Sequence, residues 1–149
     1  MNFLEFAKLN NKIKNLDEIL FESLKYDDYN LYECGVNYNN YLIGDLVFVQ
    51  KYKYKNGKLG SNHIFLIVDI SIKNENVLYY GMILSSKVEK ISYKANKLIC
   101  KNSENNLRKD SIIKTDVIYK IFTKNILLKI GKIDKTKVEI YKNCLIKNI

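Results

Sequence analysis

The spacing of apolar residues changes along the chain, and each change predicts an element. Phe3, Leu4, Ala7, Ile13, Leu16, Ile19, Leu20 and Leu24 recur at three- and four-residue steps, with charged and Asn residues between them. That pattern predicts one helix over residues 3 to 26, docked by a single apolar stripe. Tyr26 to Tyr41 loses the period and is rich in Asp, Asn and Tyr around Gly35, which predicts a connector. From Leu42 the period becomes two. Leu46-Val47-Phe48-Val49 runs into a Lys/Tyr alternation that ends at Asn56-Gly57, a pair that accepts the positive φ of a tight hairpin turn. A strand over 42 to 54, a turn and a returning strand are expected.

The returning strand contains Ile64-Phe65-Leu66-Ile67-Val68, β-branched and apolar enough to be central and buried. A polar loop from Ser71 to Asn76 then precedes an apolar strand from Val77 to Leu84. Shorter strands are expected at Lys97 to Cys100 and Ser111 to Lys114, with a turn of helix at Asp116 to Ile121. Beyond the Gly131 break, Val138, Tyr141, Cys144 and Leu145 keep helical spacing, which predicts a C-terminal helix. No internal repeat is visible. The sum is an α+β fold: a small, bent antiparallel sheet or barrel with a helix at each end.

Composition narrows the class. At 149 residues, 47% hydrophobic and 28% charged, the chain is an ordinary globular one, large enough to bury roughly two-thirds of its unfolded surface. Cys34, Cys100 and Cys144 are odd in number and widely spaced, unlike a disulfide framework or a zinc site, so a reducing cytoplasm is the expected location. No metal and no cofactor is called for. No apolar run approaches the roughly 20 residues of a membrane span, and Glu5, Lys8, Lys12 and Lys14 interrupt any signal-peptide core. No membrane passage is expected.

The formal net charge is +9, and Arg108 is the sole arginine among 25 basic residues. Excess positive charge on a small domain favours polyanionic partners, nucleic acid first. The lysine-, isoleucine- and asparagine-rich usage also reads as AT-rich coding bias, which dilutes the meaning of any single lysine.

Three features carry candidate chemistry. Lys51, Lys53 and Lys55, with Lys58 across the turn, would line one side of the hairpin while Tyr52 and Tyr54 line the other. Lysines neutralise phosphates and a tyrosine ring stacks on an unpaired base; the same row would also blunt a sheet edge against aggregation. His63, the only histidine, stands before the buried strand, where an imidazole can serve as general acid or base or simply as a hydrogen-bonded structural group. Ser85-Ser86-Lys87 follows an apolar strand. Two hydroxyls and an ammonium there could hold a phosphate, and they are equally an ordinary way to leave a strand. There is no GxSxG, P-loop, GxGxxG or HExxH.

In order, these segments resemble the MazF/PemK-like endoribonuclease toxins of bacterial toxin–antitoxin systems. The carriers are Gly44-Asp45-Leu46-Val47-Phe48-Val49, Asn62-His63-Ile64-Phe65-Leu66-Ile67-Val68, the stretch Leu107 to Ile121 with its Lys109-Asp110-Ser111 core, and the tail through Lys129-Ile130-Gly131-Lys132-Ile133. The resemblance spans about residues 42 to 149 and implies an SH3-like barrel there, with residues 1 to 41 as an addition. It aligns the family's catalytic threonine with Ser85, and His63 with a position where the family commonly has arginine. Ser85-Ser86-Lys87 is also similar to a cluster of the ToxN-like branch, whose members are inhibited by a small repeated RNA.

The implied activity is metal-independent cleavage of single-stranded RNA, mRNA above all, inhibiting translation and growth. His63, Ser85 and Ser86 would be catalytic, with Lys51, Lys53, Lys55, Lys58, Tyr54, Asn62 and Lys87 on the RNA. The implied partners are a cognate antitoxin, protein or small repeated RNA, and a second copy in a homodimer. The alternative is a non-catalytic RNA- or protein-binding module on the same fold, because barrels of this type host unrelated functions.

Overall fold

The computed structural model describes residues 1–16, 40–50 and 62–148. The lysine ladder from Lys51 to Lys58, Tyr52, Tyr54 and the Asn56-Gly57 turn fall outside those residues, as do the side chain of Asn62 and most of the connector. Two helices and eight strands follow in order: α1 (Phe3–Leu9), β1 (Ile13–Lys14), β2 (Asp45–Gln50), β3 (Asn62–Lys73), β4 (Asn76–Ser85), β5 (Asn96–Ile99), β6 (Ser111–Lys114), β7 (Ile118–Phe122), β8 (Ile126–Lys132) and α2 (Lys135–Lys147). The strands form one open sheet in the order β1-β7-β4-β3-β2-β8, with β6 beside the far end of β4 and β5 beside β6. Every pair is antiparallel except β1 with β7. The α+β reading with a helix at each end holds, and the short parallel pair makes the sheet mixed.

The sheet is buried on both faces, so its central strands read as unbroken apolar runs. On one face lie Leu46, Phe48, Ile64, Leu66, Met82 and Leu84, packed with Ala7 of α1 and Val138, Tyr141 and Leu145 of α2. On the other lie Val47, Val49, Phe65, Ile67, Tyr79, Ile83 and Tyr119, with Leu16 and Tyr41. Gly81 belongs to this second face: a Cβ there would sit 2.7 Å from Ile121 Cδ1 and 3.1 Å from Phe65 Cβ. The space keeps Phe65 in edge-to-face contact with Tyr119, centroids 5.7 Å apart, the favoured geometry for an aromatic pair.

The helix expected over 3 to 26 stops at Leu9. Asn2 Oδ1 accepts the Glu5 N–H at 2.8 Å to open it, and the Asn10 side chain donates to Phe6 O at 2.9 Å where it closes. Asn11 then adopts φ 57°, a left-handed conformation that Asn tolerates better than most residues. The chain enters β1, with Ile13 opposite Ile118. Local asparagine chemistry overrides the apolar spacing here; residues 17 to 26 lie outside the description.

Two further expectations are corrected. The polar loop at 71 to 76 is a tight hairpin in which Asn74 and Glu75, at φ 52° and 66°, form the turn and Lys73 pairs with Asn76. Both central residues at positive φ is the turn whose twist suits a two-residue hairpin. The helical turn expected at 116 to 121 is strand β7, whose Ile118, Tyr119 and Ile121 fill both faces of the sheet.

Two devices fix the sheet's ends. Gly44, at φ +99°, donates its N–H to Ile67 O and accepts from Ile133 N at 2.7 Å; a Cβ would lie 2.7 Å from Ile133 O. Beside it the buried Asp45 carboxylate accepts the Leu42 N–H at 2.8 Å and meets Lys129 Nζ at 3.1 Å. Between Ile67 and Asp69 a bulge in β3 sets Asp69 opposite Tyr80, facing Lys142 of α2 at 3.6 Å. Lys142 also lies over the Phe3 ring, 4.7 Å from its centroid, tying α1 to α2.

Gly44→Ala therefore strains the backbone and meets a carbonyl that cannot step aside; a loss of roughly 2–3 kcal/mol is expected from urea unfolding. Burial, then the Asp69 charge, raises the Tyr80 phenol above its usual value, and burial followed by Cys144 raises Tyr141. Raised phenol values favour the neutral ring in the fold. Their contribution is complete below pH about 10 and is lost as pH rises through the folded-state values. Urea midpoints should fall above that pH, and less steeply in Tyr141→Phe.

Candidate active site at one end of the sheet

Strand register decides which sequence candidates meet. Val49 pairs with His63 and Ile64 pairs with Leu84, so the next antiparallel step sets His63 opposite Ser85. Ser85 in turn pairs with Ile112, and Ile112 with Leu98. One row thus crosses β2, β3, β4, β6 and β5 through Val49, His63, Ser85, Ile112 and Leu98. Side-chain alternation puts His63 and Ser85 on the face of Phe65 and Ile83. Were the pairing to continue that one step, their Cβ atoms would stand about 5 Å apart.

His63 and Ser85 are each 1% exposed. The imidazole stands edge-on to Phe65, centroids 6.4 Å apart, so the stacked second face orients it. Ser85 Oγ accepts the Lys87 N–H at 3.1 Å, which turns the chain out of β4 and leaves Ser86 and Lys87 half-buried. Val88–Ser92 then forms a 3-10 turn that the sequence reading did not anticipate.

The same end receives the segment that leads into β6. Asp110 Oδ1 accepts the Lys101 N–H at 2.9 Å and Ser111 Oγ donates to Lys109 O at 2.9 Å. The Lys109-Asp110-Ser111 core thus holds a strand entry, with exposed Arg108 and Lys109 just before it. Arg108 stood out in the sequence only as the sole arginine.

Two observations bound the chemistry. Among the described residues no group of three or more His, Cys, Asp and Glu is placed to hold a metal ion, and no helix is long and apolar enough to cross a membrane. A groove of about 830 Å³ between Asn40, Tyr80, Phe122 and the Asn74-Glu75 turn lies at the opposite end of β4 from Ser85.

The family of PemK-like, MazF-like toxins of type II toxin–antitoxin systems matches residues 43–149. This chain belongs to that family. No significant match is found among curated proteins. The match begins after α1 and β1, yet β1 extends the toxin's sheet beside β7 and α1 packs on α2. In this PemK-like toxin the Gly44-Asp45 pair opens β2 through a left-handed glycine and a buried ion pair, so that motif has a structural cause of its own.

Ser85→Ala removes the acceptor for the Lys87 N–H, and a loss of about 1 kcal/mol is expected in thermal or urea unfolding. Ser86→Ala, with no such bond, should change stability by less than half as much.

Proposed function

We propose that this chain is the toxin of a toxin–antitoxin pair and cleaves single-stranded RNA, mRNA above all, without a metal. What supports the reading is the β3–β4 register, which runs to Ile64 opposite Leu84 and leaves His63 and Ser85 one step beyond it, in a chain that belongs to a toxin family. His63 takes the proton from a ribose 2′-OH, and that oxygen attacks the adjacent phosphorus. Ser85, Ser86 and Lys87 hold the non-bridging oxygens as charge builds on them. The bond to the 5′-oxygen breaks and that oxygen takes a proton from water, leaving a 2′,3′-cyclic phosphate and a 5′-hydroxyl. A single strand fits because attack in line needs a backbone geometry that an A-form helix resists.

Lys51, Lys53, Lys55, Lys58, Tyr54 and Asn62 belong to the chain between β2 and β3 or to its edge, and in this reading they grip the RNA on either side of the scissile phosphate. Residues 1 to 41 are an addition to the module formed by 42 to 149. The toxin acts in the cytoplasm as a homodimer held in check by a cognate antitoxin. A protein antitoxin fits the type II match; a ToxN-like arrangement would place a tandem repeat before the gene and an RNA in that role.

The second reading, a non-catalytic RNA- or protein-binding module, is favoured by the burial of both candidate residues. Catalysis requires RNA binding to open this end of the sheet to them. The test is incubation with a long mRNA in EDTA, followed by mapping of new ends. Wild-type protein should yield cyclic-phosphate termini, and His63→Ala should slow cleavage by about a hundredfold or more. Ser85→Ala should cost a similar order. A limb of the pH–rate profile in the range where imidazoles titrate should vanish in His63→Ala. Cleavage surviving in both variants would remove this site assignment, and wild-type protein inert on varied RNAs would leave the binding module.

A further inference from the structure

The groove at the far end of β4 takes its shape from the sheet register. Lys73 stands opposite Asn76, Ser71 opposite Leu78, Leu78 opposite Phe122 and Tyr80 opposite Lys120. Alternation along each strand puts these side chains on one face, where Tyr80 and Leu78 join the core that α1 and α2 cover. Lys142 of α2 reaches Asp69, in the same row as Tyr80. Beyond that row the cover thins: Leu78 is half-buried and Phe122 is 49% exposed. The Phe122 backbone is held, its N–H donating to Asn125 Oδ1 at 3.3 Å.

A volume of about 830 Å³ lies in the range of small-molecule sites. Leu78, Tyr80 and Phe122 supply an apolar, aromatic lining, and the polar lining is specific: the amides of Asn40, Asn74 and Asn76, the Lys73 ammonium and the Glu75 carboxylate. An exposed ring takes a planar base on its face. A side-chain amide carries both donor and acceptor and can pair with a base edge. An ammonium holds a phosphate, and a carboxylate accepts from ribose hydroxyls. Lys124 Nζ, 5.9 Å from the Phe122 centroid, adds a second cation beside the ring.

The same features disfavour a longer strand. Phe122 is the exposed platform, whereas Tyr80 is 8% exposed, and successive bases need successive platforms. Carboxylates also stand at both ends, Glu75 on the turn, and Asp69 and Glu139 sharing the one cation Lys142. They repel the phosphates of a continuing backbone.

We infer that this groove binds a single nucleoside monophosphate, with its base on Phe122 and its phosphate at Lys73. Leu78 is seven strand steps from Ser85, roughly 23 Å, too far for one nucleotide to touch both. The site is therefore separate from the candidate cleavage site, and the inference does not rest on RNA cleavage.

The test is isothermal titration calorimetry on the full chain with AMP and UMP against adenosine, uridine and ribose 5-phosphate. At least one nucleotide should bind about tenfold tighter than its nucleoside and than ribose 5-phosphate. Phe122→Ala should weaken that binding about tenfold and Phe122→Tyr should retain it. Lys73→Gln should weaken nucleotide binding about threefold or more and leave the nucleoside unchanged. Both side chains are exposed, so melting temperatures should stay within a degree or two of wild type. A nucleotide bound no better than its parts, or binding that survives both Phe122→Ala and Lys73→Gln, would overturn the proposal. So would pentaadenylate binding that falls as far as that of AMP in Phe122→Ala, which would assign the ring to a strand. Loss of nucleotide binding in Ser85→Ala would place the ligand at the other end of β4 and also overturn it. No arm reads cleavage, so nucleotide binding can fail while mRNA cleavage stands, and the reverse.

Discussion

The structure depends on the antiparallel pairing of β3 with β4, which runs from Ile64 opposite Leu84 to Lys73 opposite Asn76. Both strands are apolar on both faces, so a slip of one residue would exchange the two cores wholesale, and the mismatch of side-chain shapes in each core penalises it. That register places Phe65 beside Ile83 and Ile67 beside Gly81. The missing side chain at Gly81 admits the Phe65 ring, which in turn contacts both Tyr119 and His63. The orientation of the candidate base is thus a consequence of core packing several residues away.

The bulge in β3 divides the labour along the same hairpin. Before it, the strand serves the end where His63 meets Ser85. After it, Asp69 is turned toward α2 and Lys142, and the strand serves to anchor both helices. A strictly regular strand of this length would keep Asp69 on the side of Ile67, among Tyr79 and Ile121. An unpaired carboxylate would then lie in an apolar cluster, at considerable cost. The irregularity is therefore the condition under which a twelve-residue strand can carry a charge in its middle and still be buried at its start.

The central strands were legible because unbroken β-branched and aromatic runs have few other solutions, and the C-terminal helix because Val138, Tyr141, Cys144 and Leu145 keep one face. The first helix was misread because apolar spacing is a weak signal beside Asn10, whose side chain closes the last turn on Phe6 O, and Asn11, whose positive φ turns the chain away. Asp116 to Ile121 was misread because a short apolar run fits either period, and only pairing with β4 decides it. For the candidate site, the sequence supplied the residue types at two strand ends but no reason for them to be neighbours. Their relation is a property of register, as is the pairing of Ser85 with Ile112 of β6. The burial of His63 and Ser85 was not foreseeable from either strand alone.

The positive charge also acquires a more specific meaning once the strands are placed. Lysines spread by coding bias would surround polar and apolar surfaces alike, and many here do. Those of residues 87 to 98 instead border the exposed aliphatic side chains of Val88, Ile91 and Leu98, of which Leu98 stands two strands from Ser85.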